Sequence, residues 1–451
     1  MKFLLLSIEF NAGTFSGNGV YACSQARALS QLGHEVLVIA GAPPGHSSAA
    51  AAPEDGGNGG AGMQRVVHFE LPVWGRLDAG CGWREYAACA GVPTVAAQVA
   101  AFGAAAALGV DWHSVGAYDA LAAALPAAAL PPFVYLNYRV YHRTASAEEL
   151  AVIEGREQRA LRLSRCSMVL SRSDADYLRR HFPAATAAAA PLHVLLPALR
   201  SDMERLPAPG LGAESEEAGG GGGLAWATGR RHLACCVRLS PEKEPHRFVE
   251  VVEVMAARGS LERLGVVPAM CGAGWNSPYG ADLRRRLQQN VPQCVVHDSF
   301  MGPGDLAQLY AATLLNLHPP TYDAYGESAS FPLLCMTIVE AASQGAPSLV
   351  QEGGHVGATD LLSSQAGEVF LCDMEQPVGQ LADLVEALLA DRARLAAAGR
   401  LAQAKARSWT EHDNAQALVQ HVQEALAGGE AAPAPAAEAA GGEQAAVEVA
   451  A

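Results

Sequence analysis

Apolar and amphipathic blocks alternate along the first part of the chain. Residues 2–8 form a mostly apolar run typical of a buried strand, residues 24–32 show helical periodicity, and residues 34–40 are apolar again. Gly33 occupies the position where the C-terminus of a helix favours glycine, and it separates the helix from the second strand. Strand, helix and strand in this order predict a parallel βαβ unit of an α/β protein.

A second unit of this kind spans residues 314–350. We predict a buried strand over residues 314–318, a helix over 337–344 that ends at Gly345, and another strand over 347–350. A polar, glycine-bearing loop joins the first of these strands to the helix. Because ligands of open α/β sheets lie beyond the carboxyl ends of the strands, this loop is the predicted site.

Two segments of low complexity interrupt the pattern. Residues 46–62 consist mainly of Ala, Ser, Pro and Gly and predict a disordered surface insertion, while residues 206–230 are acidic and then glycine-rich and predict a flexible linker. The predicted domain order is an N-terminal domain over 1–205, the linker over 206–230, a C-terminal domain over 231–408, a terminal helix over 409–426 and a disordered tail over 427–451.

Composition excludes several classes of function. The formal net charge of -15 argues against a general affinity for nucleic acid or for an anionic membrane. The ten cysteines show neither a C-x-x-C motif nor zinc spacing, which suits a reducing compartment, so we expect a cytoplasmic or plastid-stromal protein that is not secreted. The uncharged run over 86–110 is dominated by Ala and Gly, so we expect no transmembrane segment, and nothing supports a peripheral membrane contact.

Two acids bracket the predicted loop, Asp323 at its start and Glu340 within the helix. The chain reads D-A-Y-G, then ESASFPLLC, then M-T-I-V-E-A. This resembles the E-G-F-G-x-x-x-x-E-A signature of the retaining nucleotide-sugar glycosyltransferases of family 4, with Asp in the first position. Without residues 327–335, the two acids have the spacing of that family.

The resemblance implies roles for this loop. Glu340 would accept hydrogen bonds from the ribose hydroxyls of a nucleotide sugar, and Asp323 would accept them from the donor sugar. The start of the helix would face the diphosphate with its N–H groups. Without the family pattern, Glu340 could be a solvated helix residue and Asp323 a turn residue. Further implied donor-binding residues are Tyr325, Gly326, Met336 and Thr337.

A basic motif opens the predicted second domain. The chain reads V-R-L-S-P-E-K-E, which resembles the G-R-L-x-x-x-K-G motif of the same family, with Glu244 in place of the last glycine. Arg238 and Lys243 match the basic pair that grips the donor diphosphate. A bidentate cation and a point charge can neutralise charge on a leaving diphosphate, although both side chains could also be solvated. A Ser-Pro pair predicts a helix from residue 240 to about 258.

Two further features of the first domain are candidates. Gly17 and Gly19 fit the loose dinucleotide pattern G-x-G-x-x-A, but they follow the strand at a distance, and no acid ends the second strand. They also resemble the family's glycine-rich loop, in which the backbone approaches the donor phosphates; an ordinary turn is the alternative. His113 matches the family's histidine that faces the acceptor, and its alternative is a packing or capping role.

Taken together, the resemblance implies the GT-B fold, in which two Rossmann-like domains face each other across a cleft and the terminal helix packs back on the first. The implied reaction moves a hexose from a UDP-, GDP- or ADP-hexose to a hydroxyl of an unknown acceptor, with Asp323, Glu340 and His113 at the reaction centre. The acceptor attacks the face that the diphosphate leaves, and the departing phosphate takes its proton. No bound cofactor or metal is implied, because residues 231–408 lack a D-x-D motif.

Alternatives remain open because residues 327–335 interrupt the signature. They could form a bulge that displaces no site residue. They could also leave an inactive protein that binds a sugar nucleotide or serves as a scaffold. A third class is an NAD-linked or nucleotide-sugar epimerase-type enzyme on a similar fold.

Overall fold

The computed structural model describes residues 1–14, 16–46, 48–54, 64–138, 146–188, 191–207, 230–298, 301–323 and 337–428. These residues form two sheets flanked by helices. Within the described ranges, every helix is too short or too polar to cross a bilayer.

The first sheet is built from the N-terminal half of the chain. Its strands are β1 Lys2–Ser7, β2 Glu35–Ala42, β3 Ser48–Glu54, β4 Gln64–Glu70, β5 Ala106–Val110, β6 Phe133–Asn137, β7 Ser167–Val169 and β8 Leu192–Val194. They lie in the order β3-β4-β2-β1-β5-β6-β7-β8, with β3 antiparallel to β4 and the other pairs parallel. The strand order reverses between β1 and β5, which places the topological switch point at their carboxyl ends.

Helices cover both faces of this sheet. They are α1 Gly17–Gln31, α2 Trp83–Ala90, α3 Pro93–Phe102, α4 His113–Ala124, α5 Ala147–Leu163, α6 Arg172–His181, α7 Pro183–Ala188 and α8 Ser201–Glu204. Side chains alternate across a strand, so Phe3 and Leu5 pack in one core while Leu4 and Leu6 pack in the other. A strand buried on both faces must be apolar throughout, which explains the uninterrupted run at the N-terminus.

The predicted disordered insertion over 46–62 is wrong in its first part. Residues 48–54 form β3, an edge strand of the sheet, which pairs with β4. An edge strand forms through backbone hydrogen bonds, which an Ala-rich segment supplies as well as any other, so composition was a poor guide there. Residues 47 and 55–63 lie outside the described residues.

The second sheet is entirely parallel among the described strands. It contains β9 His232–Cys236, β10 Val267–Cys271, β11 Val295–His297, β12 Thr313–Leu317, β13 Ser348–Gln351 and β14 Phe370–Cys372. The order is β11-β10-β9-β12-β13-β14, so the switch point lies between β9 and β12. The predicted α/β class with two Rossmann-like sheets is therefore confirmed. The predicted linker falls mostly on residues 208–229 and the predicted tail on 429–451, which lie outside the described residues.

The remaining helices flank the second sheet, except for the last one. They are α9 Pro245–Ala257, α10 Ser260–Leu264, α11 Pro278–Asn290, α12 Pro303–Ala311, α13 Thr337–Ser343, α14 Val378–Ala390, α15 Arg392–Arg407 and α16 Glu411–Ala427. The last helix returns to the first lobe, where Glu411 accepts hydrogen bonds from Ser24 Oγ at 2.6 Å and from Arg27 Nη2 at 2.6 Å. Asn414 accepts from Gln25 Nε2 at 2.7 Å. Polar contacts with α1 thus hold α16 on the first lobe.

We expect Glu411→Ala to lower the free energy of unfolding by about 2 kcal/mol, because it removes the acceptor of a half-buried guanidinium and of a hydroxyl. Urea unfolding followed by circular dichroism measures this. Gln416→Ala, at an exposed position of the same helix, serves as the control and should change stability by less than about 0.5 kcal/mol. Equal effects of the two substitutions would show that the Glu411 contacts contribute nothing to docking.

Candidate functional site

A buried ion pair joins two loops at the carboxyl edge of the second sheet. The Nζ of Lys243 donates to Oδ1 of Asp323 at 2.6 Å, and these residues are only 2% and 5% exposed. On the other side, His318 Nε2 lies 2.6 Å from Oδ2 of the same carboxylate. The two loops meet because they follow β9 and β12, the neighbouring strands at the switch point.

This environment keeps Asp323 ionised. Burial alone would raise the pKa of its carboxyl, but the charge of Lys243 and the hydrogen bond from His318 hold the pKa below its ordinary value. The backbone of Asp323 is fixed as well, because its N–H donates to the carbonyl of His355 at 3.1 Å and its carbonyl accepts from Gly357 at 3.0 Å. Lys243 is therefore buried and paired and not a solvated surface residue, and Asp323 has more contacts than a simple turn residue needs.

Glu244 ties the same two loops together a second time. Its Oε2 accepts from the backbone N–H of Thr321 at 2.6 Å, and its Oε1 accepts from Arg247 at 3.0 Å. Although burial opposes it, these hydrogen bonds lower the pKa of Glu244. Thr321 precedes Asp323 by two positions, so Glu244 holds the loop that presents Asp323 to Lys243.

The predicted continuous helix over 240–258 is wrong at Glu244. A 3₁₀ turn over Pro241–Lys243 comes first, Glu244 then adopts the left-handed conformation at φ 47°, and α9 begins at Pro245. Proline has no N–H to donate and disfavours the right-handed helical region for the preceding residue. The left-handed conformation is strained for Glu, and the resembling family has glycine at this position.

Arg238 lies on the same loop with a different partner. Its Nη2 forms an ion pair with Glu242, its Nε donates to Ser240 Oγ at 3.1 Å, and its side chain is 16% exposed. Glu242 therefore balances its charge, whereas Asp323 balances that of Lys243. The predicted basic pair is present on one loop, with each member in its own ion pair.

Glu340 has the opposite environment to Asp323. It lies in the first turn of α13 with no exposed surface, so it is not a solvated helix residue. Among the described residues, neither carboxylate oxygen has a hydrogen-bond partner. Its charged neighbour is Arg200, whose Nη1 lies 3.6 Å from Oε1. Burial raises the pKa of Glu340 to about 7, with Arg200 lowering it and Asp202 raising it.

The two predicted glycines lie in a helix rather than in a loop before it. Gly17 and Gly19 occupy the first turn of α1, whose N-cap Ser16 accepts from Asn18 N–H at 3.1 Å. A Cβ on Gly17 would lie 2.2 Å from the hydroxyl of Tyr138, and one on Gly19 would lie 2.6 Å from Thr14 Cγ2. A side chain at either position would therefore force a neighbouring side chain to move, so close packing alone accounts for a preference for glycine.

His113 begins α4, and two residues separate it from the end of β5. It is fully buried, and its Nε2 lies 3.0 Å from the carbonyl oxygen of Leu77. Thr337 opens α13 as described, fully buried, and its hydroxyl has no hydrogen-bond partner among the described residues. Tyr325, Gly326 and Met336 lie outside the described residues, as does the insertion over 327–335.

Several residues of the site escaped the sequence patterns. Arg200 belongs to no motif, Glu244 is the residue at which the basic motif departs from the family's glycine, and His318 is only the last residue of a predicted strand. Tyr322, next to Asp323, donates to Asp174 Oδ1 of α6 at 3.2 Å and so links the two lobes. A histidine that ends a strand two residues before a turn could have indicated a partner for the nearby Asp323.

Among the described residues, no group of three or more His, Cys, Asp or Glu could hold a metal ion.

Comparison with known proteins supports the fold. No family model matches the chain, and no curated protein matches it by sequence. Sucrose-phosphate synthase from Thermosynechococcus elongatus has a similar structure, with a TM-score of 0.64 and 15% identity over 95% of this chain and 100% of that one. The α,α-trehalose 6-phosphate synthase of Burkholderia multivorans gives a TM-score of 0.64 and 15% identity over 94% and 99%.

Anabaena HepE, solved in complex with UDP, is also similar, with a TM-score of 0.60 and 16% identity over 94% of this chain and 100% of that one. At such identities the likeness concerns the fold alone. The chain has the GT-B fold of two Rossmann-like domains, as predicted.

We expect Lys243→Met and Asp323→Asn each to lower the free energy of unfolding by about 3 to 5 kcal/mol, because each leaves an uncompensated or unsatisfied buried group. The double variant should lose less than the sum of the two, which urea unfolding measures. Additive losses would contradict a coupled pair.

The stability that Asp323 contributes should depend on pH. Because its pKa is lower in the folded protein, the contribution is present above the ordinary carboxyl pKa and is lost as pH falls through the lowered value. Asp323→Asn should therefore show a flatter decline in unfolding midpoint below about pH 4 than the wild type. Parallel acid profiles of the two proteins would contradict this.

We expect Glu244→Gly to be more stable than Glu244→Ala by about 1 kcal/mol, because glycine adopts the left-handed conformation without strain. Both substitutions remove the same hydrogen bonds, so thermal unfolding isolates the backbone effect. At Glu250, inside α9, the order should reverse, since glycine destabilises helix interiors. The same order at both positions would mean that residue 244 is not strained.

Proposed function

We propose that this protein is a retaining glycosyltransferase that moves a hexose from a nucleoside-diphosphate sugar to an acceptor hydroxyl. Glu340 carries the proposal, because it is a fully buried carboxylate with no hydrogen-bond donor among the described residues. Burying a charged carboxylate without hydrogen-bond donors is costly. The two adjacent hydroxyls of a ribose would supply two such donors. Its position at the carboxyl edge of a Rossmann-like sheet in a GT-B fold fits a nucleotide.

Asp323 is proposed to bind the hexose. Each oxygen of an ionised carboxylate can accept two hydrogen bonds, so contacts with Lys243 and His318 do not prevent another from a sugar hydroxyl. Because the surrounding contacts fix both the side chain and the backbone, the carboxylate is already oriented before the donor binds.

Lys243 and Arg238 are proposed to stabilise the diphosphate. An ammonium has three N–H donors, so a phosphate oxygen and Asp323 can share Lys243. Arg238 would exchange part of its contact with Glu242 for a phosphate, which a planar guanidinium binds in bidentate fashion. Positive charge fixed at this place opposes the negative charge that develops as the diphosphate departs.

In the proposed reaction, the bond between the anomeric carbon and the phosphate oxygen breaks, and a bond to the acceptor oxygen forms on the same face. The departing phosphate takes the acceptor proton, so the products are a nucleoside diphosphate and a glycoside. The second lobe binds the donor, and His113 and α1 of the first lobe are proposed to face the acceptor. HepE was solved in complex with UDP-glucose, so a UDP-hexose is the first donor to test.

We expect one of UDP-glucose, GDP-mannose and ADP-glucose to raise the melting temperature. For that donor, Glu340→Gln should weaken binding at least about tenfold in calorimetric titration, because hydrogen bonds to a charged acceptor are lost. Glu375→Gln, at an exposed carboxylate of the same lobe, is the matched control and should bind normally. With water as acceptor, slow hydrolysis should first release the α-anomer of the sugar, which NMR detects.

Three results would contradict the proposal. If none of the three donors raised the melting temperature, the protein would not bind a nucleotide sugar of these types. Binding without any release of sugar would favour the inactive binding or scaffold alternative. First release of the β-anomer would show inversion instead of retention.

A further inference from the structure

We propose that Arg200 is a positioning residue that holds the Glu340 carboxylate in place for the ribose of the donor. The residue comes from the segment that leaves the first sheet after β8, whereas Glu340 belongs to α13 of the second lobe. Arg200 Nη1 lies 3.6 Å from Glu340 Oε1. The inference rests on the proposed function, since it concerns the same nucleotide site.

Arg200 is itself held rigidly. Its Nη2 forms an ion pair with Asp202, and its side chain is only 12% exposed. Its carbonyl accepts from the N–H groups of Met203 at 3.0 Å and Glu204 at 2.9 Å, and the preceding Leu199 N–H donates to Trp409 at 3.1 Å. One branch of the guanidinium is thus anchored while the other faces Glu340.

The separation of the two charges matters. At 3.6 Å the contact is longer than a hydrogen bond, so it attracts the carboxylate without occupying its lone pairs. Among the described residues, neither Arg200 Nη1 nor either Glu340 oxygen makes a hydrogen bond. The carboxylate therefore keeps its acceptor capacity for the hydroxyls of a ligand while Arg200 supplies the opposing charge.

Few other charged groups face Glu340 from the elements packed around it. Asp202, on the segment of Arg200, repels its charge, and Tyr310 of α12 also interacts with it electrostatically. Arg407 of α15 donates instead to the backbone carbonyl of Ser343 at 2.9 Å. Burial and Asp202 thus favour the protonated form of Glu340, while Arg200 favours the ionised form that accepts from a ribose.

The test measures the affinity for the nucleoside diphosphate that wild type binds best among UDP, GDP and ADP, between pH 6 and 9. In wild type, affinity should fall as pH drops through the Glu340 pKa of about 7. Arg200→Gln should lower affinity roughly tenfold at pH 7.5 and recover towards pH 9, because the Glu340 pKa moves upward. Arg200→Lys keeps the charge and should retain the wild-type midpoint.

Two comparisons separate positioning from a general loss of structure. The loss in Arg200→Gln should be smaller for the 2′-deoxy nucleotide, which lacks one of the hydroxyls. In a Glu340→Gln background, Arg200→Gln should have no further effect on affinity. This double variant also removes the buried Glu340 charge that Arg200 would otherwise compensate, so it can be measured if the single variant folds poorly. Arg205→Leu, at an exposed arginine of the same segment, should bind like wild type.

The outcomes distinguish the two proposals. A wild type that binds none of the three nucleotides overturns the proposed function and this inference together. A wild type that binds, with an Arg200→Gln variant of unchanged affinity and pH profile, overturns only the role of Arg200. An equal loss in the Glu340→Gln background would show that Arg200 acts on the fold or on another part of the nucleotide.

Discussion

The carboxylates of Asp323 and Glu340 are both buried, and the protein compensates them in opposite ways. Asp323 accepts from Lys243 and His318, and its pKa falls. Among the described residues, Glu340 has no hydrogen bond and a longer contact with Arg200, and its pKa rises to about 7. Functional sites typically contain buried ionisable groups whose environments move their pKa values apart. A purely structural core would instead give both carboxylates hydrogen-bond partners or contain neither of them.

The two lobes meet at these carboxylates. Arg200, from the end of the first sheet, approaches Glu340, and Asp174 of α6 accepts from Tyr322, the neighbour of Asp323. The return of α16 to α1 ties the second lobe to the first at the other side. A ligand in contact with both carboxylates would therefore lie where relative movement of the lobes changes its surroundings, which is the usual location of sites between two Rossmann-like domains.

The sequence predicted the elements whose signals are local and apolar. The buried strands and the βαβ unit around residues 314–350 were correct within about two residues, because double burial demands continuous apolar runs. The segment over 46–62 was mispredicted in part, since backbone pairing at an edge leaves little trace in composition. The helical pattern extends through Glu244, so it gave no sign of the break that Pro245 imposes on the residue before it.

The candidate site was predictable in its residue types but not in its partners. The resemblance of two motifs to those of family 4 indicated Asp323, Glu340, Arg238 and Lys243. It could not show that Lys243 pairs with Asp323, or that Arg238 pairs with Glu242, since pairing depends on the meeting of two loops in space. Arg200 lies more than a hundred residues from Glu340 in sequence and belongs to no motif, so only the packing of the lobes reveals it.

A crystal structure of the protein with bound UDP tests the role of Glu340 most directly. We expect the ribose hydroxyls to donate to the two Glu340 oxygens at about 2.6 to 3.0 Å, with Arg200 still beside the carboxylate. A ribose bound elsewhere, with Glu340 facing Arg200 alone, would contradict the nucleotide-binding role of this carboxylate.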